Sequence, residues 1–249
     1  MKPALHAEWT KMRTVAGPRW LLLGTIAATV ALSVAVTSVL TCDTAGCGAD
    51  PTRLSLIGVE LGQALVVILA VLAISSEYGS GMIRTTLAAT PHRATVLAAK
   101  AVTLTGAVAA AGTVAVLGSL LAGRLILPSQ GLSLTDGPTL RATVGSILYL
   151  ALIALLSLGV ATIVRDAAAG IGIVLGLLYL VPILTPVIDD PHWQRLLQQI
   201  GPMSAGLTIQ ATTDLATLPI SPWAGLDVTA GWAAATLLAG GLVLCVRDA

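Results

Sequence analysis

The sequence predicts an all-α integral membrane fold: six transmembrane helices, an N-terminal interfacial amphipathic helix, and short outer helices between spans five and six. Three observations carry this. Of the 249 residues, 56% are hydrophobic and only 10% charged, where soluble domains average about 25% charged, and the mean hydropathy is +0.92. Six apolar runs have roughly the 20 residues that a hydrocarbon core requires. The basic residues divide unevenly between the two sides that those runs define. The whole chain, 1–249, reads as one transmembrane domain, with the interfacial helix in 1–18 and the bundle in 20–246.

The runs cover 20–40, 57–75, 98–121, 143–164, 167–188 and 228–246, and none has a charge near its centre. Glu60, Lys100, Arg141 and Asp227 fall at or just beyond run ends, where side chains are expected to reach headgroups. The first run is too long, and begins too late, for a cleaved signal peptide. Six spans place both termini on one side. With that side inside, the inner segments hold Lys2, Lys11, Arg13, Arg19, Arg84, Arg93, Lys100, Arg165 and Arg247, and the outer ones hold Arg53, Arg124, Arg141 and Arg195. Nine against four predicts cytoplasmic termini in the cytoplasmic membrane.

Ahead of the first run, "MKPALHAEWTKMRTVAGPRW" aligns Leu5, Trp9, Met12 and Ala16 on one helical face, with His6, Lys11, Arg13 and Thr14 around the rest. This is the pattern of a helix in the headgroup layer, stopping at Gly17 and Pro18 and serving either as an anchor or as a mechanical element. In the first outer loop, Cys42 and Cys47 are either a disulfide or two free thiols. Two cysteines without a nearby His supply half a zinc site at most. Cys245 reads as a small buried apolar residue.

Between spans five and six, "DDPHWQRLLQQIGP" gives a short outer helix capped by Asp190, opened by Pro191 and stopped by Gly201 and Pro202. Trp193, Leu196, Leu197 and Ile200 share its apolar face, and the helix is a lid or an interfacial plug. His192 beside the helix start has no visible partner and is expected in solvent. The pairs Gly58 with Gly62 and Gly172 with Gly176 suit close helix contacts, within the chain or between copies.

Several chemistries are missing. The spans pair no acid with a base around Tyr149 or Tyr179, which counts against a membrane-embedded enzyme. No ionisable residue sits at mid-depth, which counts against an ion-coupled carrier. The net charge of +1 leaves no polyanion-binding surface, so nucleic acid is not an expected partner. Lys2, Lys11 and Lys100 precede Pro, Met and Ala, so no phosphate loop exists. Any uphill transport needs energy from another subunit.

The densest cationic stretch is "ISSEYGSGMIRTTLAATPHRATVLAAK", residues 74–100. Glu77 closes span two, Gly79 and Gly81 permit a sharp exit, and 82–89 forms a brief helix with Ile83 stacked on Leu87. Thr90 and Pro91 then open span three. This stretch resembles the loop between spans two and three of the type-2 ABC export permeases. It has their acidic residue, Gly-x-x-x-x-Thr-Leu segment, Pro-x-Arg and later Lys. "AEWTKMRT" resembles the amphipathic start of actinobacterial-type members, and "IGPMSAGLTI" the Pro-containing segment before their last span.

The resemblance implies that 82–89 is a cytoplasmic coupling helix docking on a separate ABC ATPase subunit. Met82, Ile83, Arg84, Leu87 and Arg93 would make the dock, Glu77 would hold the loop to neighbouring basic residues, and the helix of Trp9, Lys11 and Arg13 would flank it. It further implies a second permease copy, ATP and magnesium on the ATPase rather than on this chain, and a hydrophobic or amphipathic substrate: lipid, peptide or drug-like metabolite. The competing explanation of Arg84, Arg93 and Lys100 is orientation by the inner leaflet, worth about 1 kcal/mol per basic residue. The competing functions are a membrane-embedded enzyme and a non-transporting membrane partner or immunity protein.

Overall fold

The structure, a computed structural model, describes residues 2–39, 50–82, 93–127 and 136–246. Cys42 and Cys47, and Ile83, Arg84 and Leu87 with most of the expected 82–89 helix, lie outside the described residues. The described chain is helical, without a strand, and six helices are long and apolar enough to cross a membrane. By that measure it is a multi-pass membrane protein.

Helix α1, Lys2–Thr14, breaks at Val15 and gives way to span one, α2, Ala16–Val39. A short α3, Pro51–Leu56, runs into α4, Val59–Gly79, and the two together make span two. Span three is α5, Arg93–Ile126, and span four is α6, Gly137–Val164. Span five, α7, covers Ala167–Val187. Its turn at Gly176–Leu180 is a π-helix just ahead of Pro182, whose missing N–H and bulky ring disfavour a regular α-turn there. Then follow α8, Pro191–Ile200, α9, Pro202–Gly206, and span six, α10, Pro222–Val246.

All six expected spans are present, and the differences lie at their ends. Span three begins at Arg93, and span six at Pro222. Arg93 and Lys100 lower the local hydropathy without interrupting the hydrogen bonding that propagates a helix. Lys100 is a correction: expected at the headgroups, it is only 2% exposed.

Span four is the axis of the bundle, with 67% of its most apolar stretch buried against 17% for span five. Its largest contact is with α10, where a methyl on Gly240 would press on the Gly159 carbonyl. The interior follows the logic of a protein dissolved in lipid. Helix α2 turns Trp20 and Leu23 outward and buries Thr25, Thr29, Ser33 and Thr37, one residue per turn. That small stripe lets backbones approach. The Gly58 N–H donates to Ser33 Oγ at 3.1 Å, and a methyl on Gly58 or Gly62 would collide with Thr29. Gly172 and Gly176, in contrast, have among the described residues no atom beyond their own turn of helix within 4 Å of where a Cβ would stand.

The amide of Gln63, fully buried on α4, is the polar centre of the core: Tyr149 Oη donates to its Oε1, and its Nε2 reaches Met203 Sδ at 3.2 Å. Helix α8 has the Asp190 cap and Pro191 start that the sequence calls for. The segment after it does not stay on the surface. Apart from Ser204, residues 201–211 are buried, and Gly206 packs against the Tyr149 ring.

Candidate functional site

Helix α1 docks on the start of α5 and on α2, and four charged side chains meet beneath it. The Lys100 ammonium donates to Glu8 Oε2 at 2.8 Å and to Glu77 Oε1 at 2.9 Å. Lys11 donates to the same Glu77 oxygen at 2.7 Å, and lies 3.4 Å from Glu8 Oε1. Two carboxylates and two ammoniums alternate, so the group is neutral as a whole. Glu8 is 7% exposed and Glu77 4%.

Each element delivers its charge for a local reason. Glu77 occupies the last turn of α4, Lys100 sits two turns into α5, and Glu8 and Lys11 lie one turn apart on α1. An unpaired charge at this depth costs several kcal/mol, and removing one partner of a buried pair typically costs about 3–5 kcal/mol. The alternation therefore favours all four assembling together. At Lys11, burial pulls the pKa down, but the hydrogen bond and charge of Glu77, aided by Glu8, outweigh it and hold the ammonium above the usual lysine value. Among the described residues, Glu77 Oε2 is buried without a hydrogen-bond partner.

Arg165 caps span four in the left-handed conformation, φ 62°. Its guanidinium lies 5.2 Å from the centre of the Tyr78 ring, a cation–π distance.

These contacts revise several sequence expectations. On α1, Glu8 turns inward and is buried, while Trp9 and Ala16 of the expected apolar face are exposed, as a face turned to headgroups would be. The inward face of α1 carries both members of its ion pairs, Glu8 and Lys11. Lys11 turns inward to Glu77, and Arg13 remains exposed. Glu77 spends its Oε1 on lysines of its own chain, and Met82, just beyond α4, is 46% exposed. Arg93 opens α5, but its side chain is not described. Cys245 is exposed rather than buried, and His192 is exposed as expected.

The sequence reading missed Glu8 and Gln63, yet both left a signal. Glu8 is the lone acid of a basic segment, and Gln63 is a lone amide in an aliphatic run, which needs an interhelical partner in lipid.

The opposite end of the bundle is organised around Asp50. Its carboxylate caps α3, accepting from the N–H groups of Thr52 and Arg53, and reaches across to the N–H groups of Thr212 and Thr213 and the Thr212 hydroxyl. Partial burial would raise its pKa, but the bonds from Thr212, Arg53 and Thr213 prevail and hold the carboxyl below the usual range. A cavity of about 450 Å³ lies beside it, and a second of about 340 Å³ shares with the first Arg53, Glu60, Leu207 and Leu218. Among the described residues no three His, Cys, Asp or Glu gather as a metal site.

No family model matches this chain, and no curated protein matches it.

Proposed function

We propose that the chain is the permease subunit of an ATP-driven ABC exporter, moving a hydrophobic or amphipathic substrate across the cytoplasmic membrane as a dimer served by two ATPase subunits. The observation that best supports this reading is the cluster of Glu8, Lys11, Glu77 and Lys100. It ties both flanks of the loop that resembles a coupling helix to one another and to α1. A push on that loop would then move the ends of spans two and three and the interfacial helix as one body, rather than bending a free hairpin. Interiors transmit displacement well because they are close-packed.

The sequence lacks a phosphate loop of its own, so the energy would come from ATP and magnesium held by the partner. The basic-residue count supports a cytoplasmic position for the cluster, where such a partner would be found. The test is co-purification. A tagged full-length chain, extracted in mild detergent from its native host, should bring down a protein with a phosphate loop, and Arg84→Glu should reduce the recovery several-fold. A chain that carries no ATPase under any mild extraction contradicts the proposal.

A further inference from the structure

A cavity of about 500 Å³ runs beneath α1, walled by Met12 and Val15, by Gly17 and Pro18 in the first turn of α2, and by α4 from Leu69 to Ser80. That volume is in the range of small-ligand sites, about 300–1,000 Å³. The twelve residues from Leu69 to Ser80 rise about 16 Å along the helix, and one leaflet of a hydrocarbon core is about 15 Å deep. The slot is therefore as long as one leaflet. Leu72 and Ser76 on its α4 wall are exposed, so the slot opens to the surroundings of the bundle.

The charges around it are sorted. Glu8 and Glu77 are neutralised by Lys11 and Lys100, whereas Arg13 and Arg19, on either side of the break at Val15, are exposed. The excess charge offered to a ligand's head is positive, and the slot offered to its tail is apolar. We propose that this is a binding site for one anionic phospholipid, its acyl chain between α1, α2 and α4 and its phosphate toward Arg13 and Arg19. The lipid would seat α1 on the bundle as a fifth component beside the four charges. The inference needs only that the chain is embedded in a membrane, so it stands or falls independently of the transport reading.

The full chain is purified after equilibration with phosphatidylcholine vesicles containing or lacking phosphatidylglycerol, and retained lipid is counted by native mass spectrometry. One phosphatidylglycerol per chain should survive, favoured over phosphatidylcholine by on the order of fivefold per arginine. Ala73→Trp, which fills the slot, should lose the retained lipid, while Leu148→Trp, on the exposed face of α6, should keep it. Arg13→Gln with Arg19→Gln, both surface changes, should abolish the preference and leave the chain folded. Equal retention of the two lipids by the unaltered chain, or a preference unchanged in the double arginine variant, would overturn the proposal even if Ala73→Trp failed to fold.

Discussion

At the end of the bundle that carries α1, the elements are joined by four side-chain charges; at the far end, a single carboxylate is joined to a loop by N–H and hydroxyl donors. Both join elements far apart in sequence: Lys100 with Glu8, and Thr212 with Asp50. The charged joint is buried, made of long side chains, and costly to break singly. The Asp50 joint is half-exposed, short, and dominated by backbone donors whose positions a loop already fixes. A joint of long paired side chains can travel as a unit while its members stay paired, whereas backbone donors must be re-formed if the loop moves. The contrast favours motion at the charged end and a fixed frame at the Asp50 end.

The largest effect is expected at the charged joint. Glu77→Gln leaves Lys100 with one buried partner in place of two and should cost about 3 kcal/mol, measured as reversible unfolding in mixed micelles. If its cost matched that of a surface carboxylate, below about 1 kcal/mol, the two ends would not differ as described. Next comes the glycine contact that holds span one. Gly58→Ala drives a methyl into the Thr29 carbonyl and should cost about 2–3 kcal/mol, whereas Gly172→Ala, with open space around it, should be neutral or slightly stabilising.

Asp50→Asn should cost about 1.5 kcal/mol, the range of hydrogen bonds to a charged group. Its pH dependence sharpens the comparison, because the two ends should fail at opposite extremes. The Asp50 carboxyl is held low when folded. Its contribution is therefore complete above the unfolded value, about pH 4, and is lost as pH falls through the lower folded value. Lys11 is held high, so its contribution is complete below about pH 10.4 and is lost as pH rises through the higher folded value. Acid should act on the difference between wild type and Asp50→Asn, and alkali on that between wild type and Lys11→Met; the reverse pattern would undo the assignment. The smallest effect is expected at the core amide, where Gln63→Met should cost about 0.6–1.7 kcal/mol, as buried hydrogen bonds between membrane helices do.

The six apolar spans, the Asp190 cap, and the Gly58–Gly62 contact were legible because each rests on composition or on neighbours within a few residues. The span ends were not. A hydropathy window falls at any charge, and it cannot know that Lys100 is neutralised by Glu8, 92 positions away. Nor does helical periodicity reveal that Glu8 is buried, because its partner Lys100 lies on another helix. Thr25, Thr29, Ser33 and Thr37 stood in plain sight at every fourth position. In lipid it is this small polar stripe, and not the leucines, that marks the inner face.

The central claim is that the four charges act as one unit, and a double-mutant cycle on Glu77 and Lys100 tests it directly. Unfolding free energies are measured for wild type, Glu77→Gln, Lys100→Met and the double variant, all in the same micelles. The double variant should be about 2 kcal/mol less destabilised than the sum of the two singles, because the second change removes a charge already stranded by the first. Additive costs, agreeing within about 0.5 kcal/mol, would show that the two residues act independently and would contradict the account.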